Sequence, residues 1–443
     1  VEKMLQNNVP WYRQLNGYHW FVLIVCTGGW MFDCFDQQLF NLARKSAVTA
    51  LLGVEPGNPA IDRNCGFATS VLMIGWATGG IIFGILGDRI GRAKTMIFTI
   101  LSYSVFSGLS GFAPNLPVFL ALRFLAGLGV GGQFALGVTL VSESVPPQTR
   151  TNCLGMLQAF SAIGNVGAGI VYLAIIHFEL QPPETAWRYV FCVTMLPALV
   201  LVALNALYLH EPDAWKNVAA DRKISGKKGG MTELLSDPFW RRRAFIGLFL
   251  AAAGVLGLWA IGVFSSDLTQ TIFRKTLSNP KDVMQWACIN LILFNVGAFF
   301  GMYAFARVTQ YLSRRATFAI FFTIAMIFTA IYFGFMNDRT QLIWMAPLMG
   351  FAQLSVFGGY AIYFPELFPT RMRSTGTSFC YNIARFLAAG GPFATGWLSG
   401  TFFVNYGEVD RFRYAGVTMC ACFLVGLIAL IFAPETKDKP LPE

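Results

Sequence analysis

The sequence predicts an all-α membrane protein with twelve transmembrane helices arranged as two pseudo-symmetric six-helix halves. Three observations carry that reading. Of 443 residues, 55% are hydrophobic and only 13% are charged, whereas a soluble globular chain carries about 25% charged residues. Mean hydropathy is +0.54, and twelve stretches reach the roughly 20 apolar residues needed to cross about 30 Å of hydrocarbon. One octapeptide pattern closes both the fourth and the tenth of these stretches.

The spans of the first half are expected at 18–42, 66–87, 95–112, 117–140, 153–178 and 187–209. Those of the second half are expected at 243–266, 283–308, 316–335, 341–363, 374–400 and 412–433. The segment ahead of the first span is polar and shows no cleavage pattern, so insertion is expected to begin with that span. With both termini on the cytoplasmic side, the inner segments hold 21 basic residues and the outer loops 10, while Arg123 and Arg385 lie within spans. Positive charge inside then explains the net charge of +10 and gives a multi-pass cell-membrane protein with both termini cytoplasmic. A nucleic-acid partner is not needed to account for the charge.

Residues 210–242 separate the halves at 1–209 and 243–443, and the basic runs "RKISGKK" and "WRRR" lie in or beside that linker. A lipid-headgroup surface is one reading of them, and a plain linker is the favoured one. Nine cysteines, an odd number without a C-x-x-C pair, give no disulfide framework; only Cys65 falls in an outer loop. His19, His177 and His210 have no metal-ligand spacing and read as interfacial residues. Neither a metal nor a cofactor is expected.

The repeat is specific. "ESVPPQTR" from Glu143 and "ELFPTRMR" from Glu366 share the pattern E-x-x-P-x-x-x-R at an offset of 223 residues. The same offset matches Gly127 with Gly350 and Phe134 with Phe357. Two homologous halves with a site between them near the bilayer midplane are the physical design of alternating access. Between spans two and three lies "GILGDRIGRAK", in which Gly84, Asp88, Arg89, Gly91 and Arg92 form G-x-x-x-D-R-x-G-R. Read alone, this is a tight inner turn rich in positive charge. Together with the spans and the repeat, it resembles the major facilitator superfamily over essentially the whole chain.

That resemblance implies a latch in which the acidic residue caps a helix N-terminus and pairs with arginines. It assigns Gly84, Asp88, Arg89, Gly91 and Arg92, with Glu143, Arg150, Glu366 and Arg373, to gating. In the second half "FARVTQYLSRR" keeps Gly301 upstream and its arginines but lacks the aspartate, so a second latch must be weaker or built differently.

Span one carries two carboxylates in "WMFDCFDQQLF". Asp33 and Asp36 are three residues apart and share a helix face. At 1.5 Å per residue they lie about 13 Å and about 9 Å below the expected outer end, and Arg123 lies about 9 Å deep in span four. An ion pair of either aspartate with Arg123 is therefore expected. A structural pair is the plain alternative, and proton coupling is the sharper one, because intramembrane ionisable residues mark ion pathways. "DCFD" also resembles the D-G-F-D of aromatic-acid and sialic-acid proton symporters, with Cys34 in place of the glycine. Gln133 stands where those symporters often place a glutamate and is expected to be a neutral polar contact.

Arg385 in "YNIARFLAAGGPF" lies roughly 16 Å from the inner end of span eleven. No acidic residue of the second half matches its depth unless Asp267 reaches it. An unpaired guanidinium suits a carboxylate ligand, and the same span of aromatic-acid symporters carries a matching Asn, Arg and Gly-Pro pattern. A packing role for Arg385, bonded to backbone carbonyls, is the alternative. Tyr381, Asn382, Tyr360 and Tyr363, with Trp30 and Trp259 from opposite helices, are the candidate aromatic and hydrogen-bonding contacts.

The expected function is proton-coupled symport of a small organic anion by a monomer in the bilayer, with Asp33, Asp36 and Arg123 coupling the proton. Span five lacks the Gly-Pro motif of drug antiporters, which disfavours drug export. An uncoupled facilitator, a sugar or organic-cation carrier and a ligand sensor are the other readings. No nucleophile, base and orienting group form a catalytic motif, so an enzyme is not expected.

Overall fold

The computed structural model describes residues 10–55, 59–178, 183–225, 230–262, 264–388 and 390–442. The side chains of "RKISGKK" and of His177 lie outside the described residues. Among the described residues every regular element is helical.

Six spans form the first half: Gly17–Leu52, Pro59–Ile90, Arg92–Ser110, Leu116–Ser144, Arg150–Phe178 and Pro183–Tyr208. Two linker helices follow, Asp213–Ser225 and Met231–Ser236. Span seven is Pro238–Leu256, a π-helical stretch Gly257–Gly262, and Phe264–Phe273. Spans eight, nine and ten are Pro280–Tyr311, Arg314–Phe335 and Arg339–Leu367. After a 3₁₀ turn at Thr370–Met372, span eleven is built from Arg373–Ala388, Gly390–Trp397 and a π-helical end at Leu398–Phe402. Span twelve comprises Glu408–Met419 and Cys422–Phe432.

Several helices begin before the expected limits, and the sequence contains the reason. Asn115, Ser313 and Asp338 accept backbone N–H groups at the starts of spans four, nine and ten, and Asp237 and Asn279 do so just before Pro238 and Pro280. Such caps lie in the polar zone outside the apolar window that marks hydrocarbon alone. Span one overruns its expected end by ten residues, to Leu52, where Gly53 adopts a left-handed conformation. Asp36 and Asp33 thus lie roughly 24 Å and 28 Å from the helix end, deeper than expected.

Among the described residues, nine helices are long and apolar enough to cross a membrane by composition alone. Span one carries Asp33, Asp36, Arg44 and Lys45, and span three is rich in serine and threonine, which lowers the hydropathy of both. Spans four and ten, equivalent under the repeat, are among the most buried, while six, nine and twelve expose most of their surface. The two halves meet along spans two and eleven and along spans five and eight. The first seam is close: a Cβ at Gly80 or Gly84 would overlap the side chain of Asn382 or Ser378. Small residues are what let membrane helices approach this far.

Candidate functional site

At the seam, Arg385 lies with its guanidinium against two rings. Its guanidinium carbon lies 3.9 Å from the Trp76 ring centroid and 4.1 Å from that of Tyr381, one ring from each half. Nη1 donates to Asn382 Oδ1 at 2.8 Å, and Nε has no partner among the described residues. Asn382 is itself fixed across the seam by donating to Gly131 O at 3.3 Å. A desolvated cation between two aromatic faces gains about 2 kcal/mol or more per favourable contact. The ring surfaces continue outward from there: Tyr381 stacks on Phe134 at 4.1 Å, Phe134 meets Trp30 at 5.3 Å, and Trp76 meets Trp259 edge-on at 6.2 Å.

Asp33 lies within electrostatic reach of Arg385 and of Asp36. It is 1% exposed, and neither carboxylate oxygen has a hydrogen-bond partner among the described residues. Trp76 Nε1, Tyr103 Oη and Gln133 Nε2 are also buried without partners. Buried polar atoms are normally satisfied, and two of these groups, Asp33 and Trp76, lie beside Arg385. Gln133 is positioned by Thr99, whose hydroxyl donates to Oε1 at 2.9 Å.

Asp36 has different surroundings. Ser107 donates a short hydrogen bond to Asp36 Oδ1. Arg123 donates from Nε and Nη2 to Ser110 Oγ at 3.0 and 2.7 Å, and Phe191, Phe40 and Phe119 surround it at 4.6 to 5.8 Å. The expected direct ion pair of an aspartate with Arg123 is not formed. Serines of span three, one turn apart, stand between Asp36 and Arg123 instead, and their interaction is electrostatic at longer range.

The second cluster lies where spans two, four and eleven end, on the face that carries both described chain ends. Asp88 accepts the backbone N–H groups of Ser374 and Thr375 at 3.2 and 2.8 Å, capping span eleven from the other half. Arg92 contacts Asp88 at 3.0 Å and Glu143 at 3.1 Å, and donates to Thr370 O at 2.6 Å. Arg373 reaches Glu143 at 2.7 Å across the seam. These contacts tie the two halves together, with Glu143 as their buried hub. Glu211 of the linker caps span three by accepting from Arg92 N and Lys94 N at 2.7 and 3.1 Å, beside Gly91 at φ 118°.

The second half is built on the same plan without an aspartate. Arg314 pairs with Glu366 at 2.9 Å, and Glu435 caps span nine by accepting from Arg314 N and Arg315 N at 3.0 and 3.2 Å. Partial burial acts to raise the titration point of Glu435, but the donated N–H groups outweigh it and hold the carboxylate below its ordinary range. Arg150 donates to Ser142 O at 2.8 Å. Arg89 is exposed and makes no ion pair among the described residues.

Removal of the hub tests the latch. Glu143→Ala leaves Arg92 and Arg373 buried with one carboxylate fewer, a loss of about 3–5 kcal/mol for a broken buried pair. The latch is expected to open, so that a cysteine replacing Ser378 in a cysteine-free background is alkylated at least tenfold faster from this face. An unchanged rate would show that Glu143 does not hold the latch.

The structure thus brings Trp76, Tyr381, Asn382 and Arg385 together with Asp33, with Gln133, Trp30 and Trp259 on the surrounding wall. It does not bring in Tyr363, whose hydroxyl donates to Pro434 O at 2.7 Å near the latch face. Tyr360 donates to Leu250 O at 2.6 Å and backs Tyr381 at 6.4 Å without turning its hydroxyl to Arg385. Asp267 interacts with Arg44 and Arg274 rather than Arg385. Sequence reasoning missed Trp76 and Glu211. No motif marks the tryptophan, and the segments after spans six and twelve that carry Glu211 and Glu435 share only the glutamate when aligned on it.

Comparison with known proteins agrees with this architecture. The chain is 28% identical over 382 residues to the cis,cis-muconate transport protein of Acinetobacter baylyi, covering 85% of this chain and 86% of the relative. It is 28% identical over 455 aligned positions to the niacin transporter NiaP of the same species, covering 96% of each chain. The proton:xylose symporter XylE from E. coli superposes with a TM-score of 0.74 at 17% identity, covering 96% of this chain and 98% of that one, which establishes the fold alone. These relatives are transporters and not enzymes. The Major Facilitator Superfamily profile matches residues 31–273, more than half of the sequence, and with the twelve spans, the repeat and the latch it establishes that the chain belongs to the Major Facilitator Superfamily.

Proposed function

We propose that the chain is a proton-coupled symporter of a small organic anion, working by alternating access, with a planar conjugated carboxylate as its best-matched substrate. The observation that carries this reading is Arg385, lying against Trp76 and Tyr381 within electrostatic reach of an Asp33 carboxylate that has no hydrogen-bond partner among the described residues. A guanidinium in a dry site binds carboxylate in bidentate fashion, and the aromatic surfaces around it suit a flat, conjugated body. The two relatives are named for cis,cis-muconate and niacin, both planar conjugated carboxylates, which supports the same class.

In the proposed cycle Asp33, when ionised, is the counter-charge of Arg385. A proton entering from the face opposite the latch neutralises Asp33 and frees Arg385 for the substrate carboxylate. The halves then rock, the latch breaks, and proton and anion leave on the other side. Asp36 and Arg123, separated by Ser107 and Ser110, hold the neighbouring helices at fixed charge. The excess of basic residues on the latch face supports a cytoplasmic location for that face and both termini, in a cell membrane. Both charged groups belong to one chain, so the monomer suffices, and the proton is the only auxiliary species.

Uptake into proteoliposomes tests the proposal. Niacin, cis,cis-muconate, benzoate, xylose and an organic cation would be supplied with and without an inward proton gradient. Gradient-driven accumulation of one of the acids is expected. Transport of xylose or the cation alone, or uptake indifferent to the gradient, would replace this reading with a facilitator or another carrier.

A further inference from the structure

We infer that the latch-face end of span seven binds the phosphate of an anionic phospholipid, and that occupancy favours the closed latch. The segment "DPFWRRR" opens that span. Asp237 caps it by accepting from Phe239 N at 2.8 Å, and Pro238 occupies the first turn. Of the three arginines, Arg243 alone has a side-chain hydrogen bond or ring contact within the protein among the described residues. It donates to Leu367 O at 3.0 Å and stacks on Phe239 and Trp240 at 4.4 and 5.4 Å. Arg241 and Arg242 are exposed and make no ion pair among the described residues.

The choice of a lipid rather than a soluble anion follows from what lies beside them. Phe245 and Phe249, one and two turns along the same helix from Arg241, are 42% and 47% exposed, and Phe239 is 55% exposed. Residues four apart share a helix face. Two cationic forks at the headgroup level with an aromatic stripe running into the hydrocarbon match a phosphate carrying acyl chains. Clusters of basic residues just beyond a transmembrane helix attract anionic leaflets, and arginine forks take phosphate in bidentate fashion.

The site is connected to the latch by contacts already in place. Trp240 packs against Arg371 at 5.9 Å, and Arg371 pairs with Glu233 of the short linker helix at 2.9 Å. Arg371 lies in the turn Thr370–Met372, and the carbonyl of Thr370 is a ligand of Arg92. A lipid that fixes the end of span seven therefore fixes the turn that Arg92 grips. Loss of the lipid loosens that turn in the same way.

Native mass spectrometry of the full chain in neutral detergent provides the test, with phosphatidylglycerol, phosphatidylcholine of the same acyl chains, and glycerol phosphate as probes. Wild type is expected to bind phosphatidylglycerol preferentially. R241Q/R242Q is expected to weaken that binding by about 30-fold, from the worth of two arginines at a membrane surface. R241K/R242K retains most of it and guards against a folding defect. The double variant R13Q/K94Q removes two exposed charges from the same face and is expected to change little. Equal weakening in R13Q/K94Q, no preference over phosphatidylcholine, or equally tight glycerol phosphate would overturn the lipid site. For the coupling, phosphatidylglycerol should slow alkylation of Cys in Ser378→Cys for wild-type arginines and not in R241Q/R242Q. A lipid-independent rate would overturn the link to the latch.

Discussion

Arg385→Ala is expected to abolish concentrative uptake of the organic acid, lowering transport by roughly 150-fold or more. That estimate takes about 3 kcal/mol for truncating one partner of a buried charge pair. The loss has two sources. The substrate carboxylate loses its bidentate partner, and Asp33 is left as a bare carboxylate deep in the membrane, where an isolated charge costs at least about 2.5 to 3.5 kcal/mol. Arg385→Lys keeps the charge but not the planar fork that can stack on Trp76 and Tyr381, which the guanidinium carbon approaches to 3.9 and 4.1 Å. Its transport should fall between wild type and alanine, with the larger change in substrate affinity. Equilibrium binding to purified protein separates this from misfolding: a variant that retains the wild-type melting temperature but not acid binding supports the assignment. Unchanged binding in Arg385→Ala would leave Arg385 as a packing residue.

The second member of that site shows where sequence reading reached and where it stopped. Helix number, the two halves and the E-x-x-P-x-x-x-R repeat are one-dimensional features, because hydrocarbon thickness fixes span length and homology fixes the offset. The contacts among Asp88, Arg92, Glu143 and Arg373 were legible for the same reason, since these residues lie within short patterns at span ends. Pairings across the seam were not legible. Matching depths suggested Arg123 as the partner of the aspartates, but depth along a helix does not fix which way a side chain faces around it. Ser107 and Ser110 stand between Asp36 and Arg123, while Asp33, one turn further in, reaches Arg385 from the opposite half. The search for an acidic neighbour of Arg385 within its own half found only Asp267, which interacts with arginines elsewhere. Trp76 has no motif, and only the close packing at Gly80 and Gly84 brings span two near enough to lay its ring on Arg385. Span seven and span eleven were expected as continuous helices. Their π-helical stretches at Gly257–Gly262 and Leu398–Phe402 depend on packing in three dimensions and leave little trace in hydropathy.

The two aspartates are separable by experiment. Asp33→Asn should bind the organic acid with an affinity that no longer depends on pH, continue to exchange labelled for unlabelled substrate, and fail to concentrate it in a proton gradient. In wild type, ionised Asp33 competes with the substrate carboxylate for Arg385, and its protonation removes the competitor. Affinity should therefore rise as pH falls. Above the titration point of Asp33 it should weaken by about tenfold per pH unit for one coupled proton, and below that point it should level off. By linkage, bound substrate must favour the protonated carboxyl to the same extent. A permanently neutral asparagine holds the site in its binding-competent form, so the outer and inner steps both proceed but nothing ties them to a proton. Asp36→Asn should behave differently, because an amide oxygen can still accept from Ser107 and Arg123 keeps its own contacts with Ser110 and the three phenylalanines. A moderate loss of rate with coupling and pH dependence intact is the expectation there. Retention of gradient-driven accumulation by Asp33→Asn together with its loss in Asp36→Asn would move the proton to Asp36, and would make the unpartnered Asp33 a fixed counter-charge for Arg385.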